Sequence, residues 1–236
     1  MTDLPDNTVM PFEIKPLGVR GRIVRLGGVV DDILHKHDYP APVSALLAEA
    51  VALTAMLGAS LKFDGKFILQ TNSDGPVDLL VADFSSPGGI RGYARFDAGA
   101  VARLKTPTPQ ALLGKGHLAM TIDQGQGMER YQGIVTLGGV TLTEAALGYF
   151  QQSEQIPTRL RLAANPLAKI STHGIRAWTR TPSEPPEAVA NPSRPAPIAN
   201  QGSNPSTSDP SSIPPAVSFR PSARETHGSL HRTSRT

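Results

Sequence analysis

The sequence predicts an α+β body, sheets of mostly antiparallel strands covered by helices, followed by a disordered C-terminal tail. Three observations predict it. Short β-rich runs are joined by turn signals and are not interleaved with helices in a regular βαβ order, which argues against a parallel α/β sheet. One long apolar stretch, Val43 to Lys62, reads as a central helix. Beyond Ala164 the apolar periodicity is lost and the composition changes.

The elements follow in chain order. Val19, Gly21 and Ile23 alternate with Arg20, Arg22 and Arg25, the pattern of a half-buried strand running to Leu26. Val29, Val30, Ile33 and Leu34 sit at i, i+1, i+4 and i+5, a short amphipathic helix from Val29 to His37 that stops before Pro40. Pro42 suits the first turn of the next helix. In that helix Val43, Leu46, Leu47, Ala50, Leu53, Leu57 and Leu61 keep helical spacing, and Glu49 is the one charge before its end. Its length would span a bilayer, but Ala, Ser, Thr and Gly make up half of it and Glu49 would sit in hydrocarbon. The expectation is a buried core helix and no membrane association.

Lys66 to Thr71, Val77 to Phe84 and Ile90 to Phe96 are strands of an antiparallel meander, joined at Asp74-Gly75-Pro76 and Ser85-Ser86-Pro87-Gly88-Gly89. A short helix is expected over Pro109 to Leu113, then strands Leu118 to Ile122 and Tyr131 to Leu137 about the Gly125-Gln126-Gly127 turn. Thr143 opens a helix to about Gln155, and Thr158 to Ala163, with Arg159 and Arg161 on one face, reads as a last strand. A body of residues 1–164 is long enough to bury a stable core without disulfides or metal. In residues 165–236, Pro, Ser and Thr supply 31 of 72 positions; such a segment cannot bury enough apolar surface to offset its ordering entropy.

Charge divides the same way. Residues 1–164 carry 15 Lys and Arg against 16 Asp and Glu, and residues 165–236 carry 8 against 4. The basic character therefore belongs to the tail, and it argues only weakly for polyanion or nucleic-acid binding. Met1 to Asp6 has acids and a proline where a secretory signal needs a basic then an apolar region, so a cytoplasmic location is expected.

Candidate chemistry is sparse. His35 and His37 point about 200° apart on a helix and do not make a metal pair. Gly114-Lys115-Gly116-His117 lacks the spacing and the Ser or Thr of a phosphate loop. Asp123, Glu129 and Arg130 surround a turn with no Ser, Cys or His nucleophile near them in sequence, which reads as a charged corner and not as a catalytic site.

Thr121 through Val135 (TIDQGQGMERYQGIV), with His37 to Pro40, Ala48 to Ala50 through Ser60 to Gly65, Leu69 to Thr71, Asp74 to Val77, Arg91 to Asp97 and Ser153 to Arg159, resembles in the same order the substrate-binding domain of the 33 kDa redox-regulated heat-shock chaperonin family. The resemblance covers about residues 9 to 163 and stops at Ala164. It implies the same α+β fold and a stress-response holdase that binds unfolded proteins without ATP, not an enzyme. It also implies pairing of two copies when active, and a zinc switch made of Cys-x-Cys and Cys-x-x-Cys that oxidants open. The chain has no Cys, so that thiolate site and its disulfide cannot form from these residues and no cofactor is expected.

A holdase needs adaptable apolar surface. The expected client contacts are Met56 on the less buried flank of the long helix and Phe67, Leu69, Leu79, Val81 and Phe84 on the outer faces of the meander strands. Core packing is the competing reading for each of the six. The break at Ala164 leaves another function open, a truncated or frameshifted product with little or no chaperone activity.

Overall fold

The computed structural model describes residues 5–125 and 128–164, together with the backbone of two short strands at 181–182 and 217–218. Apart from those strands, the tail expected to be disordered lies outside the described residues.

Among the described residues, two antiparallel sheets, five α-helices and a 3-10 turn at Lys15–Leu17 form the body. Strand β1 (Thr8–Ile14) and strand β2 (Val19–Arg25) pair from Thr8 opposite Arg25 to Ile14 opposite Val19. Helices α1 (Gly28–Leu34) and α2 (Ala41–Gly58) follow. The meander is β3 (Lys66–Ser73), β4 (Leu79–Ser85) and β5 (Gly89–Arg95). Short helices α3 (Ala98–Arg103) and α4 (Pro109–Leu113) lead to β6 (Lys115–Asp123), β7 (Tyr131–Gly138) and α5 (Leu142–Gln152). Strand β8 (Thr181–Pro182) extends the first sheet to the order β1-β2-β8. Strand β9 (Val217–Ser218) completes a six-stranded sheet in the order β7-β6-β3-β4-β5-β9.

The register explains the core. Phe67, Leu69 and Thr71 of β3 stand opposite Phe84, Ala82 and Leu80 of β4, and these stand opposite Ile90, Gly92 and Ala94 of β5. Ile122, Met120 and Leu118 of β6 continue the same rows. Because side chains alternate along a strand, all these residues share one face, and α2 lies across it on β4 and β5. Small residues allow the close approach. A side chain at Gly58 would run into the Phe84 ring, and one at Gly92 would come within 2.8 Å of Val51 Cγ2. The segment Ala41–Gly58 is long and apolar enough to cross a membrane, yet 72% of it is buried inside the body, as expected of a core helix.

Beyond shifts of a few residues at element ends, such as the first helix ending at Leu34 and not His37, the structure departs from expectation as follows. Strand β1 was not legible, since Pro11 and Glu13 interrupt its apolar pattern. Helix α3 was also missed; it is short, and its one strong signal is the cap in which Asp97 Oδ1 accepts the Ala100 amide at 2.9 Å. Helix α2 ends at Gly58 and not at Lys62. Residues 158–163 form no strand among the described residues. Leu160 is buried and Leu162 packs against the core, but this segment pairs with no strand of either sheet. Alternating Arg and Leu supplies the strand pattern, and a strand also needs a neighbouring edge.

Candidate functional site

All six expected client contacts are buried in this conformation. Met56, Phe67, Leu69 and Phe84 belong to the core beneath α2, and Leu79 and Val81, on the opposite face of β4, are also covered. The expectation that they lie on outer faces is thus corrected for Phe67, Leu69 and Phe84: the period-two register turns them toward α2, and Gly58 lets that helix seat directly on Phe84. The less buried flank of α2 carries Ala45, Glu49 and Leu57, not Met56.

Open apolar surface occurs elsewhere. Met10, Ile14 and Leu17 lie along the first hairpin, with Leu17 64% exposed. Met128 and Ile134 lie on the β6–β7 hairpin, 57% and 60% exposed, and Phe63 follows α2. Beside Leu17 a half-open groove of about 830 Å³ runs between α5 and the segment after it, lined by Leu147, Ile156 and Pro157, with Arg159 and Gln151 as polar lining. Such a lining can hold an extended, mixed apolar segment, and it offers no nucleophile beside a base.

The ionisable groups near these surfaces hold structure together. Asp123 Oδ1 accepts the Gly125 amide at 3.0 Å and its Oδ2 accepts Arg130 Nε at 3.1 Å, so the hairpin turn is an ion-paired corner. The Gly125 hydrogen bond, with the Arg130 charge, holds the Asp123 carboxyl below its usual range. Tyr131 and Tyr149 both donate to Glu154 Oε1, at 2.8 and 2.5 Å, and this cluster fastens α5 and the segment behind it to β7. Burial and the hydrogen bond to Glu154 push the Tyr149 phenol above its ordinary range. Gly133 on β7 passes directly under the Tyr149 ring, where a side chain would collide with it. His35 Nδ1 lies 2.7 Å from the Asp31 carbonyl oxygen, whereas His37 packs on Tyr39 and Tyr93, so the two rings serve different neighbours. Among the described residues no three His, Asp or Glu side chains gather as a metal site.

The Hsp33 protein family, as a family model, matches residues 7–176, most of the chain. This chain belongs to the Hsp33 family. The match runs past Ala164, to residue 176. Named relatives agree. A 33 kDa chaperonin of Caulobacter vibrioides is 51% identical over 166 residues, covering 69% of this chain and 55% of that protein. One from Ectopseudomonas mendocina is 47% identical over 150 residues, covering 62% and 49%. This chain therefore spans about half the length of the relatives it matches. The crystal structure of the Thermotoga maritima Hsp33 homologue shares the fold, with a TM-score of 0.58 over 75% of this chain and 61% of that one, at 20% identity.

Sequence reading missed the exposed set Met10, Ile14, Leu17, Met128 and Ile134. Their neighbours in sequence are a mixture of buried and exposed residues, and only the strand register and the hairpin ends show which face stays open.

Proposed function

We propose that this chain is an ATP-independent holdase of the Hsp33 type, acting in the cytoplasm on unfolding proteins and not as an enzyme. The observation that carries the reading is the Hsp33 match over residues 7–176, which spans every element from β1 to α5. The open apolar residues of the two hairpins and the groove beside Leu17 support it, because a binder of unfolded chains has to present apolar surface without a matching partner of its own. The 236 residues contain no Cys, so whatever activity they have runs without a thiolate zinc switch and is constitutive.

The test uses reduced, carboxymethylated α-lactalbumin, a permanently unfolded polypeptide, mixed with the whole chain in the absence of nucleotide. A complex that co-elutes in gel filtration, and that forms equally with a zinc chelator present, is the expected result. If no complex forms at any attainable concentration, the chain is the inert product that the composition break at Ala164 allows, and the holdase reading falls.

A further inference from the structure

We propose that the free edge of β7, from Gln132 to Gly138, is a docking site for an extended client segment, which adds to the six-stranded sheet as a further antiparallel or parallel strand. This rests on the holdase reading and says where on the body the client backbone is held. Four observations carry it.

The first is that the other long edges are partly occupied or interrupted. At β5 the Ala94 amide donates to the Tyr39 hydroxyl at 3.2 Å, and β9 pairs with Gly89 and Ile90. In the smaller sheet β8 pairs with β2 at Val19 and Arg20, and the outer strand β1 contains Pro11, which has no amide hydrogen to offer. By contrast, residues 132–138 have no backbone partner other than β6 among the described residues.

The second is charge. No Asp, Glu, Lys or Arg occurs from Tyr131 to Thr143, so β7 carries none of the charges that usually guard an edge, and it neither repels nor selects a client by sign. An edge with this character suits an uncharged, apolar segment, the kind of sequence that an unfolding protein exposes.

The third is the surface beside the edge. Gln132, Ile134, Thr136 and Gly138 are exposed along the outer face of β7, and exposed Met128 lies just before the strand, so apolar contact is available next to the free backbone groups. The fourth is preorganisation. Gly133 fits against Tyr149, and Tyr149 donates to Glu154, so α5 backs the strand from the inner face and little ordering is left for binding to supply. Backbone hydrogen bonds are common to every sequence. Strand addition therefore gives affinity without specificity, which is what a binder of diverse unfolded proteins requires.

Amide exchange of the whole chain is measured with and without reduced, carboxymethylated α-lactalbumin. In the free chain, alternate amides of residues 132–138 exchange fast, and these become slow when the probe binds. Proline is then placed at whichever of Ile134 or Val135 has the fast amide, which removes a free donor and spares the β6 ladder. Probe binding by this variant weakens about tenfold, the loss of one or two hydrogen bonds and of strand register. Ile134→Thr, which keeps the strand and trims only the apolar side chain, weakens it less. If the probe binds and the β7 amides stay fast, the edge site is wrong and the holdase reading stands. If the probe does not bind, both fall. Protection of β7 that grows with chain concentration in the absence of probe assigns the edge to a second copy and overturns the proposal.

Discussion

Glu49 is the only charged residue within α2, and burial holds its carboxyl above the usual range. The sign follows from linkage. A carboxyl whose folded pKa is raised favours the fold below its unfolded pKa, and this contribution is lost as pH rises through the folded value. At neutral pH the partly buried carboxylate therefore opposes folding. Glu49→Gln should raise the melting temperature at neutral pH, and the gain should shrink to nothing as acid protonates the native side chain; paired thermal melts across pH check this. Tyr149 follows the same rule on the alkaline side, with its contribution present below about pH 10 and lost above it. At this scale the sequence was partly readable. Glu49 was conspicuous as one charge in an apolar run, whereas Tyr149 meets Tyr131 and Glu154 only through the folding of α5 back over β7, which no local pattern encodes.

At the scale of elements, α2 was legible because its apolar spacing is long and its flanks read as strands. Helix α5 was legible from the run Thr143-Glu144-Ala145-Ala146, although the helix begins one residue earlier, at Leu142; the Thr141–Glu144 capping box that starts it is evident only in the fold. Helix α1 shows what was not. Its first amides are capped from outside by Asp6 and Asn7: Asn7 Oδ1 accepts from Gly27 and Val29 at 3.2 and 3.1 Å, and Asp6 Oδ2 accepts from Gly28 at 3.0 Å. Caps supplied from so far along the chain depend on β1 already being in place. The segment 158–163 failed in the opposite direction, since its alternation was correct for a strand and no neighbouring edge received it. Helix seating gives a prediction. Gly58→Ala would gain up to about 1 kcal/mol of helix propensity but would drive a methyl into the Phe84 ring, and overpacking of this kind costs about 1–3 kcal/mol. Net destabilisation in a denaturant titration is expected; a more stable variant would mean that α2 does not sit on β4 in this way.

For the whole molecule, the fold class was readable because the meander, the turn signals and the central helix all point to one α+β architecture, and the Hsp33 match and the shared fold of the Thermotoga maritima homologue agree with it. The binding surface was not readable, because which apolar residues stay open depends on sheet order: β6 returns to pair with β3, which leaves β7 at the margin of the sheet with Ile134 exposed. The central claim is that this body holds unfolding proteins with no redox switch, and light scattering from a heat-unfolded client tests it most directly. The chain should suppress the scattering without nucleotide, and to the same extent before and after treatment with hydrogen peroxide. Suppression that appears only after the oxidant, or none under either condition, would contradict the account.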